Sequence, residues 1–387
     1  MELIYLLFII SGWLKAYWGI IGLPVEIDLT VIFGMVLILD IFFNRRFIIS
    51  NSALISLVLL TSFYLWMLFT LFYTPSKSYS YQKSFYFLQN FIALGFPFFK
   101  KEFDVTKFIK QLVCLTLLLS FFNIIVILGY KFDLIRWENY LAWKPLYLKT
   151  GMFMGLNIVL LFVSHFRLFI YPLKNYLLFI FSYLFMFISA ARGPIIFSAI
   201  IMILYYLFFW KKYSKIRLQI SKNGSIVLSI VAIFLISFFN TFFSRAILRF
   251  EKLFNSFFET NGGEKNIRIR LLEDSWDVIT ESFQNFVFGQ GIGSFSFILY
   301  GTDIKYYPHN ILIEILFEFG IIGFILFFIF LFFSLHKVNK YNILLFGFLF
   351  IFLNVLKSYS LVDIRIFFAL ISLIVIHKNT NKKVSFF

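Results

Sequence analysis

Imidazole, guanidinium and carboxylate side chains crowd into one stretch of an otherwise oily chain. Between Asn266 and Glu318 the sequence runs from Arg268 and Arg270 through Tyr306-Tyr307-Pro308-His309-Asn310 into an apolar helix carrying Glu314 and Glu318. Ionisable groups beside a membrane segment are costly and therefore mark function. An imidazole with an ordinary pKa near 6.5 accepts a proton at ambient pH, as a general base must when it activates a hydroxyl. The plainer alternative for His309 is an interfacial histidine hydrogen-bonded at a helix start. Asn310 is a good N-cap and Pro308 fixes the entry to the helix, which puts His309 at a rigid, membrane-level position beside Tyr307. Glu314 and Glu318, four apart, share a helical face roughly 6 and 12 Å below Asn310. Carboxylates at that depth need partners. Glu318 is expected to pair with a basic residue of a neighbouring helix, whereas Glu314 is near enough to orient His309 or an incoming substrate.

Further cations have the right type for anion binding. Arg192 lies between Ser189-Ala190-Ala191 and Gly193-Pro194, in a tight junction between two apolar runs. Its guanidinium suits bidentate contact with a phosphate, and Pro194 would hold it in place. Arg268 and Arg270 are about 200° apart on a helix, so only one of them can face a site. Arg245 and Arg249, four apart on a preceding helix, are further substrate-side candidates, with lipid headgroups as the simpler partner. The run Gly289-Gln290-Gly291-Ile292-Gly293 has no strand before it and is read as a turn that admits close backbone approach. No carboxylate pattern supplies a metal site, and no cofactor is expected.

The elements that must position these groups are membrane helices. The chain is 61% hydrophobic, has 60 phenylalanines among 387 residues, and is only 14% charged. That leaves too little polar surface for a soluble globule of this size. The net charge of +16 is spread as short clusters between apolar runs, so it reads as loop charge rather than a nucleic-acid surface. Cys114 is the single cysteine, which excludes an intramolecular disulfide. The N-terminus lacks a basic region and a small-residue cleavage site and is expected to be a retained first span.

Apolar runs at about 3–22, 29–43, 52–73, 85–99, 108–129, 151–170, 177–191, 194–210, 225–243, 311–335, 343–357 and 364–376 predict ten to twelve helices in an all-α polytopic membrane protein. Basic residues concentrate in alternate short loops, which puts both termini in the cytoplasm. Residues 1–243 then hold the first nine spans, 244–310 form one large outer-side segment, and 311–387 carry the last spans and a tail. Within the large segment, Ser244–Phe258 and Ile269–Phe288 are expected as surface helices.

Four pieces in this order resemble the O-antigen polymerase and ligase family: Ser189-Ala190-Ala191-Arg192-Gly193; Arg268 and Arg270 through Trp276; Phe288 through Phe295; and His309-Asn310 with Glu314 and Glu318-Phe319-Gly320-Ile321-Ile322-Gly323. The resemblance implies a GT-C type membrane glycosyltransferase of the bacterial inner membrane, inverting and metal-independent, with its site facing the periplasm. Its donor would be a glycan on undecaprenyl diphosphate. Arg192 and one of Arg268 and Arg270 would hold the donor diphosphate, and His309 would deprotonate the acceptor hydroxyl. The polymerase branch is favoured by the compact, phenylalanine-rich chain, and a chain-length-regulating co-polymerase is an implied partner. The alternatives are the ligase branch, with lipid A-core as acceptor, and a lipid-linked oligosaccharide flippase. The single large loop and the absence of a visible repeat argue against transport.

Overall fold

The computed structural model describes residues 1–20, 28–43, 49–100, 102–131, 146–213, 267–336, 338 and 342–379. Arg245, Arg249, the surface helix at Ser244–Phe258, the span at 225–243 and most of the loop at about 130–150 lie outside the described residues. Among those described, the helices are α1 (Glu2–Ile20), α2 (Leu29–Phe43), α3 (Asn51–Phe69), a 3-10 turn (Thr70–Phe72), α4 (Tyr79–Phe99), α5 (Val105–Lys131), α6 (Leu146–Val163), α7 (Pro172–Ser189), α8 (Arg192–Tyr213), α9 (Ile267–Thr280), α10 (Phe283–Phe288), α11 (Phe295–Tyr300), α12 (Ile311–Leu335), α13 (Ile343–Ser358) and α14 (Arg365–Asn379). Asn51–Phe72, Val105–Val126, α6, α7 and α12 are long and apolar enough to cross a membrane, and shorter apolar helices accompany them.

The chain forms two compact units. The first comprises Met1–Gly12, Glu26–Val105 and Gly262–Lys383, and the second Trp13–Val25, Thr106–Asn261 and Val384–Phe387. In the first, α12 is the central element: α3, α9 and α10 pack along it, while α14 packs on α4 and α13. Phenylalanine rings fill the seams, with Phe63 against Phe319 and Phe327, and Phe87 against Phe368. Tilted and edge-on aromatic pairs of this kind add about 0.5–1.5 kcal/mol each beyond area burial. Ser334 Oγ donates to Ser56 Oγ at 2.9 Å, a polar clasp between α12 and α3.

Two boundaries differ from the sequence expectation. Helix α4 begins six residues before the apolar run at 85–99, because Ser80, Lys83, Ser84, Phe87 and Asn90 form one buried stripe that hydropathy alone does not register. The helix expected over Ile269–Phe288 is two, since Ser282 starts a new helix by accepting a hydrogen bond from the Asn285 amide through its hydroxyl.

In the second unit, α7 and α8 pack on α6. The Ser189–Pro194 junction lies directly on Gly151, where an added Cβ would stand 2.5 Å from Ala191 Cβ and 3.1 Å from Ser189 Oγ. Ala190 takes a left-handed conformation (φ 54°) to end α7, and its amide donates to the Phe187 carbonyl.

Candidate active site

The loop that carries His309 is built on α12. Asn310 caps this helix, its Oδ1 accepting from the amides of Leu312 (2.9 Å) and Ile313 (3.3 Å). The residue before it, His309, has φ 57°, a left-handed conformation that costs a non-glycine residue of order 1–3 kcal/mol. The surrounding structure over-determines it. One ring nitrogen hydrogen-bonds the Ser358 backbone. Tyr307 packs edge-on at 4.6 Å and Tyr306 at 6.4 Å. Nδ1 is buried with no hydrogen-bond partner. Burial, followed by the charge of Arg268, holds the imidazole pKa below its ordinary value, so the ring is neutral near pH 7 with a lone pair uncommitted. Burial also raises the Tyr307 hydroxyl, reinforced by the charges of Asp363 and Glu314.

Arg268 and Arg270 part company. On α9, Leu271, Ser275 and Ile279 form the buried stripe, with Leu271 and Ile279 packed in a cluster with Phe295 and Phe317. Arg268 is one turn before Leu271 on that face. Its guanidinium donates to the Lys357 carbonyl at 3.5 Å and acts electrostatically on His309 and Tyr307. Arg270 is on the exposed face, 76% exposed and 3.8 Å from Asp274.

Below His309, α12 is interrupted. Gly320 has φ 62° and ψ −168°, which breaks the helical ladder and releases the carbonyls before it. The Gly289–Gly293 loop takes them up: Gln290 N–H donates to Phe317 O at 2.8 Å and Gly291 N–H to Glu318 O at 2.9 Å. Trp66 Nε1–H donates to Phe319 O at 3.0 Å. Glycine is required because an added Cβ at Gly289 would stand 2.5 Å from the Gly320 amide nitrogen.

Glu314 and Glu318 both meet Lys83 of α4, a residue that carried no expectation. Lys83 Nζ lies 2.5 Å from Glu314 Oε1 and 2.7 and 2.8 Å from the two Glu318 oxygens, with all three side chains fully buried. Glu318 also accepts from the Gly293 backbone. Glu314 accepts from Ser360 Oγ at 2.7 Å and from the Leu361 amide at 3.0 Å.

A second residue that carried no expectation, the carboxylate Asp303, caps α4 from across the loop. It accepts from Ser76 Oγ (2.6 Å) and from the amides of Lys77 (2.9 Å), Ser78 (2.6 Å) and Tyr79 (3.3 Å). Burial would raise its pKa, but these donors outweigh it and hold the carboxyl below its usual range. Lys305, on the same loop as Asp303, pairs with Asp363 of the α13–α14 turn at 2.7 Å.

Thus His309, Tyr307, Asn310, Glu314 and Arg268 come together in the first unit, and Arg270 turns away. Arg192, half-buried, opens α8 in the second unit. Fold and residues define an all-α, multi-pass membrane protein with a neutral, half-buried imidazole beside a guanidinium at the mouth of its central helix. Residues 177–328 match the family model described as O-antigen ligase. No curated protein matches the chain.

Proposed function

We propose that the chain is a surface-polysaccharide polymerase of the bacterial inner membrane. It joins repeat units carried on undecaprenyl diphosphate, on the periplasmic face, by inverting glycosyl transfer without a metal. The observation that carries this reading is His309: Nδ1 buried and unpartnered, the other ring nitrogen held by the Ser358 backbone, and Arg268 alongside.

In this mechanism the acceptor hydroxyl gives its proton to His309 Nδ1 as its oxygen bonds to the donor's anomeric carbon. The bond from that carbon to the diphosphate oxygen breaks, and the lipid diphosphate leaves with the electron pair. Arg268 stabilises the leaving charge, with Arg192 as the second donor-side cation carried over from the family resemblance. Preorganised cations act on developing charge in a partly desolvated site, which is usually a large catalytic contribution. A positioned base adds about 10²–10⁴-fold. The ligase reading is favoured by the match of residues 177–328 to the family model described as O-antigen ligase.

Complementation of a deletion strain tests both. For a polymerase, loss of the protein leaves single repeats on the final acceptor; for a ligase, it leaves lipid-linked polymer unattached. His309→Ala and Arg192→Ala, at normal protein level, should reproduce the deletion. Wild-type chain lengths from either variant would remove that residue from the mechanism. Polymer formed from lipid-linked repeats by purified protein in detergent, with no vesicle compartment, would exclude transport.

A further inference from the structure

We propose that Lys83, Glu314 and Ser360 are positioning residues for this base: through the turn at 357–361 they hold the imidazole of His309 and the guanidinium of Arg268 in register. The inference rests on the reading of His309 as the base.

The end of α13 and the turn that leads on to α14 are where the interactions converge. The Ser358 backbone holds the His309 ring, and the Lys357 carbonyl accepts from Arg268. Two residues further on, Ser360 Oγ and the Leu361 amide are both bound by Glu314, whose Oε1 also takes Lys83. The Leu361 carbonyl accepts from Asn90 Nδ2 at 3.0 Å. Lys83 and Asn90 are two turns apart on one face of α4, so a single helix holds the turn directly through Asn90 and, by way of Glu314, through Lys83. Both Lys83 and the 357–361 turn lie outside residues 177–328, so this support comes from chain beyond the matched segment.

A stabilising role alone does not call for such a cluster. Replacing a buried ion pair by apolar residues of similar volume is often neutral or stabilising. What apolar packing cannot do is fix a hydroxyl and an amide at hydrogen-bonding distance, and thereby fix the carbonyls two and three residues away. Among the described residues, the charged and titratable groups acting on His309 are Arg268 from α9 and Glu314 from α12, with Tyr306 and Tyr307 packed on its ring.

The experiment is steady-state kinetics across pH on purified full-length protein, with lipid-linked repeat units as substrate, for wild type, His309→Ala, Glu314→Gln and Ser360→Ala. A misplacement of 1 Å can cost about 100-fold, so Glu314→Gln and Ser360→Ala should lower kcat at least about tenfold with donor KM within about twofold. Glu314 raises the His309 pKa, so Glu314→Gln should also move the acidic limb of the rate profile to lower pH. If both variants keep wild-type kcat and pH profile while His309→Ala is inactive, the positioning role fails and the base stands. If His309→Ala keeps wild-type kcat, the base assignment itself falls. Should Glu314→Gln not accumulate, Ser360→Ala decides, since it removes one hydroxyl and leaves the ion cluster intact.

Discussion

Replacing Gly320 with alanine sets a side chain against backbone. The added Cβ would stand 2.3 Å from the Val287 carbonyl oxygen and 2.7 Å from the Gly289 amide nitrogen, neither of which can swing aside. The dihedrals (φ 62°, ψ −168°) lie in a region essentially reserved for glycine, costing about 1–3 kcal/mol. Relief of the clash pushes the 287–291 segment away, and the Gln290–Phe317 and Gly291–Glu318 hydrogen bonds go with it, at about 0.5–1.5 kcal/mol each. The total is roughly 2–6 kcal/mol. Gly301 supplies the control: it also has positive φ (68°), but an added Cβ there meets nothing within 4 Å. Gly301→Ala should therefore cost only the left-handed penalty of about 1–2 kcal/mol. The assay is thermal unfolding of detergent-solubilised protein at matched scan rate, followed by tryptophan fluorescence. Gly320→Ala should unfold well below Gly301→Ala, which should lie close to wild type. Coincident transitions for the two variants would refute the proposed backbone docking.

On the proposed mechanism, the pH dependence of transfer follows from His309. Its pKa is depressed, first by burial and then by Arg268, so the neutral form dominates through pH 7 and the rate should fall only below the ordinary histidine value. Rate profiles check the sign: Arg268→Gln should move the acidic limb of the residual activity upward, and a wild-type limb above the ordinary value would contradict the assignment. Asp303→Ala removes the cross-loop cap of α4 and should destabilise by about 1–2 kcal/mol, measured by thermal unfolding near neutral pH. Because the folded carboxyl pKa lies below its unfolded value, the Asp303 contribution is present above that value and is lost as pH falls through the folded one.

Much of this arrangement is legible in residue order. An asparagine ahead of a long apolar run announces the α12 cap, and the glycines at 289, 291 and 293 announce a turn with close backbone approach. The partner of that turn is not legible. Gly320 sits inside a continuous apolar stretch, and nothing local says that its ladder is broken or that a loop 30 residues earlier fills the gap. Lys83 is hidden for another reason. The polar residues of α4 depress local hydropathy, so the apolar run starts after it, although the spacing of Ser80, Lys83, Ser84, Phe87 and Asn90 already marks one helical face. The choice between Arg268 and Arg270 was available in the same way: Arg268 continues the Leu271–Ile279 stripe, and Arg270 the acidic one through Asp274. The role of the 357–361 turn leaves no trace in side-chain type, because it acts largely through carbonyls.

The interrupted helix α12 also bears on how this chain can change. The Gly289–Gly293 loop and the Phe317–Gly320 segment are joined amide to carbonyl, one residue against one. A single inserted or deleted residue in either would shift every pairing by one position and bring a Cβ to where only hydrogen fits. The two segments therefore form one cassette, though residues 294–316 separate them. A chimaera that exchanges side chains in this region must take both halves together or join the parts outside them. Gly301, with open space around it, marks where length can vary without disturbing the splice.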